Sequence, residues 1–256
     1  CETAARQTRK GTGSYYTPTW VADLIASTLL RGLLDGRGLS PEAALSLRIL
    51  DPAAGAGAFL IAMVEAIADA MGEGDEDNTV RREVVANCIR GAELDPLAAE
   101  ACRLALWLVA SRPGRPAVVP RAAVTTRDSL ARLPGRGSVD IVIGNPPWGV
   151  KLPPDEAARL AEIAPDALGG HRDSFLFFLA LANRTARRDG AIGMVLPDAV
   201  LSQVRYEGMR QHLLARRRPL GITRLGDRLF PGAVAPACSL CIIGTHIAPA
   251  RYFISD

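Results

Sequence analysis

An α/β architecture, a mostly parallel sheet with helices on both faces, is what this sequence predicts. Three observations predict it. The apolar runs Ile49-Leu50, Ile141-Val142-Ile143 and Met194-Val195-Leu196 are continuous rather than alternating, as in strands buried on both faces. These runs alternate with segments of helical period. Two of them stop abruptly, at Asp51 and Gly144, in loops of small residues or prolines. With 256 residues, 48% of them apolar, the chain is long enough for one large domain with a full core.

Residues 1–14 are polar and glycine-bearing and are expected to be mobile. The domain is expected to run from 15 to 250. Its first helix follows Tyr15-Tyr16-Thr17-Pro18: Thr17 offers a hydroxyl cap and Pro18 a first-turn proline. Val21, Leu24, Ile25, Leu29 and Leu30 then recur at helical spacing.

The first strand ends at Asp51, and Pro52-Ala53-Ala54-Gly55-Ala56-Gly57-Ala58-Phe59 opens a helix that continues through Ile61, Val64, Ile67 and Met71. Gly55 and Gly57 allow close backbone approach to a ligand, and the helix N-terminus favours an anionic group. A nicotinamide fingerprint would need a small residue where Leu60 stands, and Asp-Pro is foreign to it.

An acidic stretch, residues 72–80, reads as a solvated loop. After a helix from Arg81 to Asn87, the second strand, Cys88 to Ala92, leads into Glu93-Leu94-Asp95-Pro96. An acid at that strand end can hold both ribose hydroxyls of a nucleoside, and Glu93 is assigned that role. Asp95 is expected to cap the helix Leu97–Leu108, with Cys102, Leu104, Leu106 and Trp107 as its core positions. A third strand, Ala122 to Thr126, ends before Asp128-Ser129-Leu130. Asp128 either accepts from a ligand amine or caps a turn.

The fourth strand stops dead in Gly144-Asn145-Pro146-Pro147-Trp148-Gly149. Two prolines forbid both helix and ladder pairing. Asn145 then offers a carboxamide oxygen, and Pro146 a carbonyl that no ladder uses: two acceptors for one exocyclic amine. Trp148 adds a stacking face worth about 1–3 kcal/mol to a nucleobase.

Beyond it lie an insertion to Ile163 and a loop, Gly169 to Asp173, in which His171 receives no role. The helix Ser174 to Ala186 follows, with Phe175, Phe178, Leu179 and Ala182 as core. Asp189-Gly190 is expected to turn the chain into the strand Ala191–Pro197. Helical segments run to Arg218, where Arg216-Arg217-Arg218 is read as a solvated helix end or a phosphate contact. A hairpin closes the chain: a strand from Leu220 to Leu225, a turn with an exposed Phe230, and a return strand from Pro236 to Ile243. Cys238 and Cys241 have Cys-x-x-Cys spacing but no second pair or histidine cluster, so no metal is expected.

The net charge of +3 is weak evidence for nucleic acid. Five scattered cysteines fit a reducing cytoplasm. No apolar run has the ~18–20 residues of a membrane span, so no membrane partner is expected.

Asn-Pro-Pro followed by an aromatic residue resembles the catalytic motif of S-adenosylmethionine-dependent amino-methyltransferases. The order of motifs, from Tyr-Thr-Pro through the Asp-Pro-Ala-x-Gly-x-Gly-x-Phe-Leu loop to the Phe hairpin, resembles the gamma class of DNA adenine-N6 methyltransferases. That class includes modification enzymes of restriction and phage-defence systems, and the resemblance covers residues 13–244. It implies a Rossmann-like fold with seven strands and a C-terminal antiparallel hairpin. It implies S-adenosyl-L-methionine as cofactor, with Tyr16, Thr17 and Pro18 at its methionine end. Asp51, Pro52, Ala53, Gly55, Gly57 and Phe59 would form its loop, Glu93 and Leu94 would lie at its ribose, and Asp128 and Ser129 at its adenine. Asn145 would border the cofactor and, with Pro146, Pro147, Trp148 and Phe230, receive a flipped adenine of double-stranded DNA. Phe230 would sandwich the base against Trp148. The chain ends about a dozen residues after Gly244, so target recognition is expected from a domain or specificity subunit supplied elsewhere. Protein-glutamine and RNA-guanine amino-methyltransferases share the Asn-Pro-Pro motif, and an inactive DNA- or partner-binding module of the same fold is the reading from another class. The leading Tyr-Thr-Pro and the trailing Phe-Pro argue against the first. Intact Asn145, Glu93 and glycine loop argue against the second.

Overall fold

A computed structural model of the chain describes residues 17–72, 78–227, 229–230, 236–245 and 253–255. Tyr16, the segment 1–14 with its expected mobility, most of the acidic loop and the tip of the hairpin fall outside the described residues. Helix α1 spans Thr19–Arg37, and strand β1, Ile49–Asp51, feeds helix α2, Ala58–Ala70. Helix α3, Thr79–Asn87, precedes β2, Ile89–Glu93, and α4, Pro96–Ala110. Strands β3, Val124–Thr126, and β4, Val139–Gly144, follow. Next come α5, Pro154–Ala161, then α6, Ser174–Thr185, and β5, Ala186–Pro197. Helix α7, Glu207–Leu214, leads to β6, Arg217–Gly226, β7, Ala237–Gly244, and β8, Phe253–Ser255.

The strands form one sheet in the order β3-β2-β1-β4-β5-β7-β6-β8. Strands β1 to β5 pair in parallel, and β7 runs antiparallel between β5 and β6. This is the expected seven-stranded α/β sheet with its antiparallel pair. A three-residue strand, β8, joins β6 in parallel at the edge, so the sheet reaches past residue 250. All six residues of β4 are buried, because α1 and α2 cover one face and α6 the other. The continuous Ile141-Val142-Ile143 run reflects this double cover. Gly193 of β5 gives α1 its seat: a Cβ there would lie 2.5 Å from Ile25 Cγ2 and 2.6 Å from Leu29 Cδ1.

Because β1, β2 and β4 are parallel, their carboxyl ends open on one edge. Sequence order reverses between β1 and β4, and at that switch point open α/β sheets form their ligand crevice. Asp51, Glu93 and Gly144-Asn145 all lie at those ends.

Five expectations need correction. Asp189-Gly190 does not turn the chain; β5 starts at Ala186, and the extra residues are absorbed as a register shift opposite Val139–Ile141. Leu104 and Trp107 are 58% and 38% exposed, since the buried stripe of α4 is Ala99, Cys102, Leu106 and Ala110. Arg217 ends no helix: it begins β6, and its buried guanidinium donates to Asn183 Oδ1 and to the carbonyls of Asn183, Ala186, Arg187 and Gly190. Thr17 makes no cap bond to α1, whose N-cap position is taken by Pro18. Phe230 is 2% exposed rather than presented to solvent. Asp95 does cap α4, accepting from the Leu97 and Ala98 amides, with Pro96 in the first turn.

Candidate active site

The glycine loop leaves β1 at Asp51 and enters α2 at Gly57. Gly55 and Gly57 both have positive φ, 52° and 93°, a region where side chains are strained. A Cβ on Gly55 would meet open space, so the loop surface is bare there. A Cβ on Gly57 would lie 2.8 Å from Cys102 Sγ, so that glycine lets the head of α2 dock on α4. Phe59, two residues on, is buried in the core.

Two side chains hold the loop. Glu93 Oε2 accepts from the Gly55 amide at 2.7 Å, and its Oε1 accepts from the Asp95 amide at 2.9 Å. The acid at the end of β2 thus grips the glycine loop and its own turn together. Ser129, buried, donates its hydroxyl to the Pro52 carbonyl at 2.7 Å. Asp128 caps its turn through Oδ1, accepting from the Leu130 and Ala131 amides. Leu94 projects into solvent beside Glu93.

Asp51 is fully buried. Its Oδ1 accepts from the Ala53 amide at 2.9 Å, while Oδ2 is buried without a hydrogen-bond partner among the described residues. Burial pushes its carboxyl up to about 8, with the Ala53 amide opposing and nearby Glu93 adding to the rise. A Cβ on Gly144 would sit 2.6 Å from Asp51 Oδ1, so the end of β4 presses directly against this carboxyl.

One residue beyond Gly144, the Asn145 carboxamide is turned by Thr17. Its Nδ2 donates to Thr17 Oγ1 at 3.2 Å, and its Oδ1 is buried without a hydrogen-bond partner among the described residues. The hydroxyl expected to cap α1 serves Asn145 instead, while the Pro18 carbonyl accepts from the Val21 and Ala22 amides to start the helix. Pro146 is buried and Pro147 half-buried. The Pro147 carbonyl accepts from Ser174 Oγ at 2.6 Å. Trp148, 8% exposed, meets Phe230 edge to face, with ring centroids 5.4 Å apart and planes at 86°. Two rings that sandwich a base must lie face to face across it, so the expected sandwich is not the geometry of this structure.

The structure therefore gathers these residues at the switch point as two bonded groups: Asp51, Pro52, Ala53, Gly55, Glu93 and Ser129 along the loop, and Asn145 with Thr17 at the end of β4. Asp173 and Ser174, which tie the segment after Asn145 to α6, carry no signal in the sequence beyond being polar residues at a helix start.

Comparison with known proteins supplies the family. A family model described as N-6 DNA Methylase matches residues 2–246. The chain belongs to the N-6 DNA methylase family. It is similar to the type II methyltransferase M.VspI of Vibrio sp. (strain 343), at 27% identity over 206 residues, 80% of this chain and 42% of that protein. It is also similar to the type II methyltransferase M.BanIII of Aneurinibacillus aneurinilyticus, at 27% identity over 245 residues, 90% of this chain and 38% of that one. The chain thus spans less than half the length of these relatives. Among solved structures, a nuclease-deletion mutant of the Type ISP restriction-modification enzyme LlaGI, in complex with a DNA substrate mimic, shares the fold of this N-6 DNA methylase domain. Its TM-score is 0.77 at 16% identity, covering 95% of this chain and 27% of that one.

Proposed function

We propose that this chain is the catalytic domain of a cytoplasmic DNA adenine-N6 methyltransferase of the restriction-modification type. The observation that carries the reading is the Asn145 carboxamide. It stands one residue past a strand end that touches Asp51, and its oxygen is buried with no hydrogen-bond partner among the described residues. A buried acceptor without a donor costs about 1–3 kcal/mol, a cost that a substrate amine would relieve.

The residues at the switch point suit S-adenosylmethionine. The bare surface at Gly55 admits close approach, and Glu93 stands where a ribose would be held. Asp51 Oδ2, without a hydrogen-bond partner among the described residues, would accept from a cationic amine once the carboxyl ionises. The cofactor, when bound, supplies an electrophilic methyl group. Asn145 Oδ1 and the Pro146 carbonyl would accept the two protons of the adenine N6 amine. That draws the nitrogen from planar towards tetrahedral and frees its lone pair. No general base is needed beforehand, because a quaternised nitrogen sheds its proton to water readily. Positioning supplies most of the rate. Trp148 is the stacking face for the flipped base; Phe230, edge-on to it here, would have to turn aside. Double-stranded DNA is the substrate, with target recognition supplied by a further domain or a specificity subunit.

The test is calorimetric titration with S-adenosylmethionine, followed by labelled-methyl transfer to mixed-sequence duplex DNA. Binding with label on adenine N6 is the expected result, and Asn145→Ala should keep the binding and lose the transfer. Normal turnover by Asn145→Ala would sink the mechanism.

A further inference from the structure

The segment carrying Asn145 has few means of fixing itself. Pro146 and Pro147 have no N–H, and Gly149 reverses the chain at φ 71°. Its bonds must come from outside, and they come from the head of α6. Ser174 donates its hydroxyl to the Pro147 carbonyl at 2.6 Å and its amide to the Val150 carbonyl at 2.8 Å. Asp173 Oδ1 accepts from the Gly149 amide at 3.1 Å. The Leu152 amide donates to the Arg172 carbonyl at 2.8 Å, and Arg172 Nε returns a bond to the Leu152 carbonyl at 2.9 Å.

These side chains reach beyond their own helix. Asp173 holds the N-cap position of α6, where an acid normally accepts from first-turn amides; the Phe175 amide of that turn and the Gly149 amide both act on its carboxylate, so one side chain links the helix head to the segment. Its carboxylate reaches 24 residues back in sequence, and the Ser174 hydroxyl 27. Ser174 is 2% exposed, so solvent does not compete for that bond.

With Thr17 on the Asn145 amide and Ser174 on the Pro147 carbonyl, both flanks of Pro146 are pinned. Proline fixes φ at 146 and 147, so the Pro146 carbonyl has little torsional freedom left. We propose that Asp173 and Ser174 are positioning residues for the acceptor pair formed by Asn145 Oδ1 and the Pro146 carbonyl. Their role is to hold the outer backbone of the Asn-Pro-Pro-Trp segment so that the target amine meets both acceptors in one geometry. This inference rests on the amino-methyltransferase reading above.

A displacement of about 1 Å at such a site can cost on the order of 100-fold in rate, whereas one lost hydrogen bond shifts thermal unfolding by only a few degrees. The experiment compares the full chain with Ser174→Ala, Ser174→Thr and Asp173→Ala. It measures methyl transfer to adenine-containing duplex DNA and amide hydrogen exchange at Gly149 and within α6. Ser174→Ala is expected to lower kcat roughly 10–100-fold with KM for S-adenosylmethionine unchanged, and Ser174→Thr to restore most of it. Asp173→Ala is expected to speed exchange at Gly149 while Leu179 in α6 keeps its protection. Wild-type kcat in Ser174→Ala, or loss of protection throughout α6 in either alanine variant, would overturn the inference. Absence of transfer by the unmodified chain would instead defeat the functional reading. Exchange at Gly149 would then decide the brace alone, unchanged exchange in Asp173→Ala refuting it.

Discussion

The carboxamide nitrogen of Asn145 donates to the hydroxyl oxygen of Thr17 at 3.2 Å, joining positions 128 residues apart in sequence. The two ends of a carboxamide are nearly the same shape, and only hydrogen bonding distinguishes them. A donor-side contact to Thr17 leaves the oxygen for the proposed substrate amine. A flipped amide would present NH2 to an amine, donor against donor.

Thr17→Val removes the hydroxyl at almost constant volume. A neutral hydrogen bond is worth about 0.5–1.5 kcal/mol, so kcat for methyl transfer should fall roughly 3–10-fold. KM for the proposed cofactor should stay the same, and Thr17→Ser should remain near wild type. A raised cofactor KM at unchanged kcat would place Thr17 on the cofactor rather than on Asn145.

How much of this was legible beforehand depended on the kind of information required. The β4 strand and its end were readable because burial on both faces writes itself as Ile141-Val142-Ile143 and proline is unambiguous about ending a ladder. Glu93 was readable by place, at the end of β2, although not its bond to the Gly55 amide. Side-chain partners across long sequence separations left no trace: Thr17 looked like a helix cap, and Ser174 like an ordinary first helical residue. Leu104 and Trp107 misled because residue type was weighed above helical phase. Residues 99, 102, 106 and 110 share the buried stripe of α4, and 104 and 107 do not.

That difference in phase is measurable. Leu106→Ala empties a fully buried position and should cost about 2–5 kcal/mol in urea unfolding. Leu104→Glu alters an exposed one and should stay within about 0.5 kcal/mol of wild type. Comparable losses at both positions would mean that α4 is turned differently from the orientation described.

Arg217 separates from its neighbour in the same way. Its guanidinium donates to one carboxamide oxygen and four backbone carbonyls, clasping the end of α6 and the irregular start of β5 to β6. Burial lowers its pKa to about 10, with the adjacent Arg216 contributing, so it stays charged at neutral pH. Arg217→Ala leaves those acceptors without donors, and each buried orphan costs about 1–3 kcal/mol. A loss of at least ~3 kcal/mol is expected. Arg216→Ala, at an exposed site, should change stability by less than about 0.5 kcal/mol. Equal effects in chemical denaturation would return the triplet to a solvated helix end.

Asp51 gives the domain a pH signature of definite sign. Its folded pKa, near 8, lies far above the ~3.9 of an unfolded aspartate. Between those values the folded state holds a proton that the unfolded state does not. Stability from this group is therefore complete below about pH 4 and is lost as pH rises towards 8. Asp51→Asn is neutral at every pH and keeps an oxygen for the Ala53 amide, so it lacks that decline. Urea midpoints at pH 5, 7 and 9 should show wild type weakening relative to the variant by on the order of a few kcal/mol. Other titrating groups act alike in both proteins and cancel in the difference. The same linkage reaches the ligand: a cation bound at Asp51 Oδ2 favours the ionised carboxyl. Binding of the proposed sulfonium cofactor at pH 6.5 to 7 should then release a proton in wild type and none from this site in Asp51→Asn. Calorimetry in two buffers of different ionisation enthalpy measures that release. Parallel stability curves together with equal proton release would mean that Asp51 is ionised in the free protein and that burial does not govern it.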